Sequence, residues 1–502
     1  MKNKIKLSLL LGTALLMGGC SLNYDPISDY SELTFGNETG GTGSKYETKA
    51  EMQQQYDNIY KSIQNAQESW YMDMLVFAET HADNAYSGAT DAELVSLESN
   101  KQDATNKNIE RDWKSFLGYI VSANRVICNV DSVPDKTLTD AERKQWKAEA
   151  SIWRAWVLFD MTRLWGEVPV VTQETPNITA TNVKEMYPIL FPARNSVEDV
   201  YKQIISDLQY GLQYAPKADA TNKFKLTQSV AKTLLAKVYA EAPVRDYAKV
   251  IEYCESIKKD GFSLVANYSD LFSVNDTKTD VNYRNTSESI FEVIYPLGSG
   301  SWVTWMFGID QCDPSSTYNW AKWITPSRDL IQAYENEGDN VRMNEAIVWA
   351  KPSWSIHYPS DHYPFMYKTR SRYNSILKFR LADVLLLEAE AYTAQGNLTA
   401  AADLVDQIRV RAKLAKLDAS VKSSKDNMVN AVLKERRLEL AFEGQRWFDL
   451  VRTGKVYEVM NTLNSRDSGR KKMATFTENS LLMPVPQTQI DSNPNLTQNK
   501  GY

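Results

Sequence analysis

Residues 227–259 decide the fold, and they read TQSVAKTLLAKVYAEAPVRDYAKVIEYCESIKK. The first half repeats apolar residues every three or four positions, which is the spacing of one face of an α-helix. Pro243 interrupts this pattern, because proline cannot continue a helix, and a second apolar stripe follows it. The stripe residues are Val230, Leu234 and Val238 before the proline and Tyr247, Val250, Ile251, Cys254 and Ile257 after it. Two amphipathic helices joined by a short break predict a helical hairpin of the tetratricopeptide kind.

The same hairpin pattern returns at residues 379–412. Two weaker hairpins are predicted earlier in the chain, where residues 50–66 pair with 110–130 and residues 140–165 pair with 196–214. Each repeat can bury its apolar face only against its neighbours, so about four repeats are enough for a short solenoid. We therefore predict an all-α, tetratricopeptide-like scaffold of about four helical hairpins, with a large irregular, loop-rich insertion and short β pieces.

The insertion, residues 261–378, is rich in Ser, Thr, Asn, Pro and Gly and holds six of the 13 Trp residues. No helical stripe explains these rings, and aromatic side chains on loops of a rigid scaffold are often recognition sites. The alternative is that they pack against the scaffold. The predicted ligand-contacting aromatic residues are Trp302, Trp305, Tyr318, Trp320 and Trp323. The predicted polar neighbours are Asp310, Gln311 and Asn319.

A second candidate loop, residues 79–86, follows an early helix and reads ETHADNAY. It places polar and aromatic side chains side by side, which suits hydrogen bonding to a ligand. Asp83 and Asn84 are the residues predicted to contact a ligand there. The alternative interpretation is a helix cap followed by a turn, since Asp and Asn favour both.

Composition and charge exclude several function classes. Lys and Arg total 57 against 63 Asp and Glu, a net charge of −6, and no basic block is present, which argues against nucleic acid as the main partner. Three His and four Cys are too few for a His-rich or Cys-rich metal site. No GxSxG, HExxH, GxxxxGK[ST] or GxGxxG motif occurs in a strand–turn–helix setting, so we predict a binding protein without a cofactor rather than an enzyme.

The N-terminus has the features of a bacterial export signal. Three lysines (Lys2, Lys4 and Lys6) precede a short apolar run, and two glycines precede Cys20. The apolar run is too short to span a bilayer. A cysteine in this position is typical of a lipobox, so we predict that Cys20 is lipidated; the alternative is an ordinary cleaved signal. Loss of the three lysines would make the net charge −9 instead of −6.

Four segments together resemble the SusD/RagB family of Bacteroidetes outer-membrane lipoproteins. The first is the lipobox, and the others are EASIWRAWVLFDMTRLWGEVPVV (149–171), KERRLELAFEGQRWFDLVR (434–452) and the terminal pair LMPVPQ (482–487) and NPNLTQNKGY (493–502). Lys500 stands where the family commonly has Pro, and Gln489 where Glu is usual. Neither departure changes the assignment to this family, and the resemblance runs along the whole chain.

The resemblance implies a non-enzymatic lipoprotein on the cell outer membrane, facing the exterior and held there only by its lipid anchor. Members of this family capture oligosaccharides, or in some cases peptides, for a TonB-dependent transporter. The resemblance therefore implies an oligosaccharide ligand, with an oligopeptide as the alternative, and a transporter partner. Burial against that transporter is a further alternative for the tryptophans of the insertion.

The predicted organisation has six parts. They are a signal peptide (1–19), a flexible tether rich in Gly, Ser, Thr and Asn (20–48), N-terminal helical repeats (49–260), the insertion as candidate ligand-binding region (261–378), a C-terminal repeat with a following helix (379–465) and a wrapping tail (466–502). Two further sets of residues are assigned to the scaffold. The first set is charged: Arg437, Glu443, Arg446 and Asp449. We predict that they form a network in which opposite charges lie three positions apart. The second set is predicted to lie in the core: Trp153, Trp156 and Trp165.

Overall fold

The computed structural model describes residues 44–87, 91–174, 182–319 and 321–502. The predicted signal peptide, Cys20 and most of the predicted tether lie outside the described residues, as does Trp320. Lys45–Tyr502 forms one compact unit. In the described residues, no helix combines the length and the apolar character needed to cross a bilayer.

Most of the described chain is helical. The α-helices are α1 (Lys49–Asn65), α2 (Asp73–Leu75), α3 (Ala92–Glu98), α4 (Lys107–Asn129), α5 (Asp140–Trp165), α6 (Val183–Leu190), α7 (Val197–Tyr214), α8 (Gln228–Ala240), α9 (Tyr247–Lys258), α10 (Thr304–Phe307), α11 (Arg328–Glu337), α12 (Asn340–Ala346), α13 (Leu381–Ala394), α14 (Leu398–Arg411), α15 (Ala419–Lys422), α16 (Lys425–Glu439), α17 (Arg446–Arg452), α18 (Val456–Met460), α19 (Leu463–Arg466) and α20 (Gln487–Ser492). Wider π-helical turns, Gln67–Met72 and Val76–Thr80, flank α2, and short 3-10 turns occur at Val130–Ser132, Ala242–Val244, Tyr268–Leu271 and Glu478–Ser480.

Six short strands form antiparallel pairs. The strands are β1 (Ala85–Tyr86), β2 (Ser289–Val293), β3 (Thr325–Pro326), β4 (Ile347–Ala350), β5 (Tyr363–Met366) and β6 (Ile376–Arg380). β1 pairs with β3, β2 with β6 and β4 with β5. Each pair is too short to be stable alone, so it depends on packing against the helices.

The helices pack as a row of hairpins. α1 packs on α4, α5 on α7, α8 on α9 and α13 on α14, and each hairpin also contacts the next one. These are the four hairpins predicted from apolar periodicity. The prediction of an all-α, tetratricopeptide-like fold with short β pieces is therefore confirmed.

Helix α5 illustrates how the sequence specifies this scaffold. Thr139 caps its N-terminus in a reciprocal capping box with Glu142. The aromatic residues further along the helix are buried, as predicted: Trp153, Trp156 and Trp165 are at most 2% exposed. Trp156 also stacks on Phe379 of β6, with ring centroids 4.2 Å apart, so the helical repeats and a strand share one core.

The C-terminal tail packs against the end of α5. The Trp165 indole N–H donates to the Pro484 carbonyl over 3.1 Å, and the Asn499 side-chain amide donates to the Trp165 carbonyl over 2.9 Å. Gly166 ends α5 with a φ of 73°, and a Cβ there would lie 2.8 Å from a Leu482 methyl group. The terminal motif is thus part of the packed scaffold.

The insertion is more structured than its composition indicates. It contains helices α10 to α12 and strands β2 to β5, and β6 crosses its predicted boundary at residue 378. β2 pairs with β6 through the register Val293↔Ile376, so the start and the end of the insertion lie side by side. The paired strands β2 and β6 therefore fix the two ends of the chain segment that contains these loops.

A buried network of opposite charges ties the last helices together. Glu439 accepts hydrogen bonds from Arg342 (3.2 Å), Arg380 (2.5 Å) and Arg411. Burial alone would raise the pKa of Glu439, but these three guanidinium groups together hold that pKa well below its ordinary value.

The structural interpretation of the charged motif is confirmed, but its pairing differs from the prediction. Arg446 pairs with Asp83 at 2.7 Å, and Asp449 pairs with Arg436 and Arg452, each at 2.8 Å. The predicted Glu443–Arg446 and Arg446–Asp449 pairs are thus replaced by a contact of Arg446 with a distant segment and by pairs of Asp449 with two other arginines.

Candidate functional site

Trp302 is the most exposed tryptophan among the described residues, with 39% of its surface accessible. Its ring centroid lies 6.3 Å from that of Trp305, with the ring planes tilted by 55°. Trp305 is half-buried and packs against the main hydrophobic core. The two side chains together with Asp313 and Arg372 form what we call the Trp302 surface, and the buried Asp310 holds Arg372 from below it.

The loop that carries Trp302 is held in place from two sides. The Gln67 side-chain oxygen accepts hydrogen bonds from the Trp302 backbone N–H and from the Ser301 hydroxyl, both at 2.9 Å. The Ser301 backbone N–H donates to the Arg372 carbonyl at 2.7 Å. Gly300 lies against the Arg372 side chain so closely that a Cβ would come within 2.5 Å of it. The ring of Trp302 is therefore presented from a rigid loop.

Arg372 places charged groups against the loop that carries Trp302. Its side chain is 40% exposed and pairs with the carboxylates of Asp310 and Asp313. The hydrogen bond to Asp310 is the main reason that the pKa of Arg372 is raised. Hydrogen bonds from Ser315, together with Arg372, lower the pKa of Asp313. Arg372 and Asp313 are therefore ionised at neutral pH, and they offer strong hydrogen-bond donors and acceptors close to the loop that carries Trp302.

The other predicted aromatic contacts lie elsewhere in the insertion. Tyr318 is half-buried and stacks on Phe365, with ring centroids 4.2 Å apart. Trp323 is also half-buried and packs on the core, while Asn319 is exposed. The structure thus brings Trp302 and Trp305 together and places Tyr318 in a separate aromatic cluster.

The prediction that Asp83 and Asn84 contact a ligand is corrected by their burial. Both side chains have no exposed surface. Arg446 binds the Asp83 carboxylate with two hydrogen bonds, at 2.7 and 2.8 Å. Asn84 donates to Glu79 at 2.7 Å and accepts from Arg437 at 2.8 Å. The hydrogen-bonding groups of both residues are used inside the protein, so they stabilise the scaffold.

His81 in the same loop makes folding stability depend on pH. It is fully buried, its Nδ1 lies 2.7 Å from the Leu97 carbonyl, and burial lowers the pKa of His81 to about 4 from 6.5. Below pH 6.5 the unfolded chain takes up a proton that the folded protein excludes. The contribution of His81 to the free energy of unfolding is complete above pH 6.5 and is lost as the pH falls towards 4, about 3 kcal/mol in all.

Replacing His81 by Asn tests this, because the Asn amide keeps an N–H that can reach the Leu97 carbonyl. We expect His81→Asn to be less sensitive to acid than the wild type between pH 6.5 and 4. The measurement is the free energy of unfolding from denaturant titrations across that range. Parallel pH curves for the two proteins would contradict the prediction.

Sequence reasoning missed Gln67 and Arg372 as parts of the Trp302 surface. Gln67 lies 235 positions before Trp302, and Arg372 lies 62 positions after Asp310. The only available signal for Arg372 was its place in the polar stretch TRSRY at residues 369–373 of the aromatic insertion. In the described part of the chain, no group of three or more His, Cys, Asp or Glu side chains is arranged to hold a metal ion.

Comparisons with known families match two parts of the chain. Residues 353–502 match a family described as the SusD family. Residues 41–240 match a family described as starch-binding and associating with the outer membrane. The second match ends before the insertion and the first begins inside it, so residues 261–352, which include Trp302 and Trp305, lie outside both matches.

Individual proteins show the same likeness. The chain is 26% identical to SusD-like protein P38 of Formosa agariphila, over 80% of this chain and 83% of that protein. It is 23% identical to the starch-binding protein SusD of Bacteroides thetaiotaomicron, over 73% of this chain and 74% of that protein. Its fold resembles that of surface glycan-binding protein A of B. thetaiotaomicron in complex with laminarihexaose, with a TM-score of 0.72, 19% identity, and coverage of 90% of this chain and 99% of that one.

Proposed function

The chain belongs to the SusD/RagB family, and from that premise we propose that it is a non-enzymatic protein that binds a glycan at the Trp302 surface. The observation that carries the proposal is the exposed Trp302 ring, held on a rigid loop beside ionised hydrogen-bonding groups. The relatives reported above support a glycan as the ligand class. One is described as a starch-binding protein, and the structure of another is described as a complex with laminarihexaose.

The chemistry of the Trp302 surface suits a sugar. The C–H face of a pyranose ring is apolar and packs on a flat aromatic ring, which removes both surfaces from water. The sugar hydroxyl groups point outward from that face and need new hydrogen bonds to replace those with water. Asp313 and Arg372 can supply them, because a carboxylate accepts and a guanidinium donates. No bond is made or broken in this function.

The glycan-binding test is a calorimetric titration of the full-length chain, purified in mild detergent, with laminarihexaose, maltohexaose, laminarin, soluble starch and a peptide digest. We expect saturable binding of at least one glycan. Saturable binding of the peptide digest alone would mean that the ligand is an oligopeptide and not a glycan. The reported relatives give no support to that alternative. Absence of binding to every ligand of the panel would reject the proposed function.

For the cell, we propose that the protein is anchored through a lipid on Cys20 to the outer membrane, faces the exterior and passes its glycan to a TonB-dependent transporter. The support is the lipobox at the N-terminus and the matching family description that names the outer membrane. We expect Cys20→Ala to move the protein from the membrane fraction to the soluble fraction, which cell fractionation measures. A membrane-bound Cys20→Ala variant would contradict the anchor.

A further inference from the structure

A second exposed tryptophan, Trp349, lies on β4 at the other end of the insertion. It is 36% exposed and pairs across the hairpin with Pro364 of β5. Its ring is parallel to that of His362, with centroids 4.0 Å apart and an angle of 4° between the planes. Tyr358 meets it edge-on at 6.3 Å. His362 therefore covers one face of the indole, and the exposed surface lies on the other face and the remaining edges.

The supports of Trp349 are themselves fixed. Tyr358 is 8% exposed, and its hydroxyl donates to the Pro326 carbonyl over 2.9 Å. The Arg328 guanidinium lies 4.1 Å from the centre of the Tyr358 ring. Trp349 is thus attached to a paired strand and is contacted from two directions. An aromatic face that is already oriented loses little conformational entropy when it binds a ligand.

The surroundings of Trp349 fit a sugar ring better than a protein. Within residues 321–409, Trp349 is the one large hydrophobic side chain that is exposed. A stable protein interface buries roughly 800 Å² on each partner around an apolar centre, which a single ring does not provide. Apart from Pro359, the exposed residues in the loop from β4 to β5 are instead polar: Lys351, Ser353, Ser355, Ser360, Asp361 and His362. An isolated aromatic face with polar groups around it can stack on one pyranose and hydrogen-bond its hydroxyls.

The Trp349 hairpin is also connected to the rest of the aromatic insertion. Phe365, the residue after the partner of Trp349, stacks on Tyr318. Trp354 donates its indole N–H to the Tyr318 carbonyl over 3.1 Å. The same hairpin therefore carries Trp349 and contacts Tyr318, in the segment that follows Trp302 and Trp305 in the chain.

We propose that Trp349 is a second glycan-contacting residue, which stacks on a sugar unit of the polysaccharide whose other units bind the Trp302 surface. The inference rests on the proposed function and adds a preference for long chains. Once one unit of a polymer is bound at Trp302, another unit is held near Trp349 at a high effective concentration. Two moderate contacts then give tighter binding of a polymer than either contact alone.

The test measures the affinity of the full-length wild type and of Trp349→Ala for a polysaccharide. The polysaccharide is laminarin or soluble starch, whichever the wild type binds. We expect Trp349→Ala to weaken polymer binding by at least about 10-fold. Trp349→Phe keeps a flat face and should retain most of the affinity. Tyr457→Ala is the matched control, because Tyr457 is a 39% exposed aromatic residue on α18, outside the insertion. It should bind like the wild type.

Two further outcomes decide between explanations. Polymer affinity of Trp349→Ala within twofold of the wild type would overturn the inference and leave the Trp302 surface as the proposed site. If Trp349→Ala and the wild type unfold at the same temperature, a loss of affinity is not caused by unfolding. If Trp349→Ala and Trp349→Phe both unfold at a lower temperature and lose binding equally, the inference that Trp349 contacts the glycan is overturned. A wild type that binds neither polymer nor either hexasaccharide would reject the proposed function itself.

Discussion

Replacing Trp302 by alanine is expected to weaken glycan binding by about 10- to 100-fold, the largest effect on affinity that we predict for one side chain. The ring is 39% exposed, and its loop is held by Gln67 and Arg372 before any ligand arrives. Truncation of a central aromatic residue at a binding surface typically costs 2 kcal/mol or more, and each 1.4 kcal/mol is a factor of ten. The measurement is the dissociation constant for the glycan that the wild type binds, from calorimetry.

Two controls make the Trp302 result specific. Trp302→Phe keeps an aromatic face and should lose only part of the affinity, whereas Tyr457→Ala should lose none. Circular dichroism spectra of all variants should overlay that of the wild type, because Trp302 is exposed and is not one of the residues that form the hydrophobic core. A Trp302→Ala protein with affinity within twofold of the wild type would mean that the glycan binds elsewhere on the chain.

Replacing Asp83 by alanine is expected to lower the free energy of unfolding by about 3 to 5 kcal/mol, the largest effect on stability that we predict. Asp83 has no exposed surface and receives two hydrogen bonds from Arg446. Burial alone would raise the pKa of Asp83, but Arg437, Arg446 and Arg466 together hold it well below its ordinary value. Without the carboxylate, the buried guanidinium of Arg446 loses its partner, which costs more than the pair contributes.

The matched control for Asp83 is Asp131, which pairs with Lys147 at 2.5 Å on the surface. Asp131→Ala should change the free energy of unfolding by less than about 1 kcal/mol, because exposed ion pairs are weak. Denaturant titrations measure both values. At temperatures where Asp83→Ala is still folded, its glycan affinity should equal that of the wild type. A stable Asp83→Ala protein that no longer binds glycan would instead assign Asp83 to the ligand.

The scaffold could be predicted because its signals are local. Apolar residues three and four positions apart identify the four hairpins, and Pro243 marks the break between α8 and α9. The buried positions of Trp153 and Trp156 follow from the same periodicity. A helix forms its backbone hydrogen bonds within one segment, so a short window of sequence carries most of the information that it needs.

The site was only partly predictable. The concentration of tryptophan in a loop-rich segment pointed to Trp302, whose neighbour Trp305 is close in sequence. Arg372 and Gln67 could not be assigned, because they reach Trp302 only through the folding of distant segments. The polar character of Asp83 was compatible with a ligand contact and with an internal ion pair, and the sequence around it contains no sign of Arg446, 363 positions away.

The amino-acid sequence by itself therefore determined the fold class, the family resemblance and the segment in which to look for a ligand, because periodicity, composition and contiguous motifs are properties of neighbouring residues. Tertiary structure alone decided which aromatic rings are exposed and which charges are buried in pairs. Exposure depends on the residues that cover a side chain, and those come from parts of the chain tens to hundreds of positions away. Trp302 and Trp349 are accessible, and Asp83 is enclosed, for that reason.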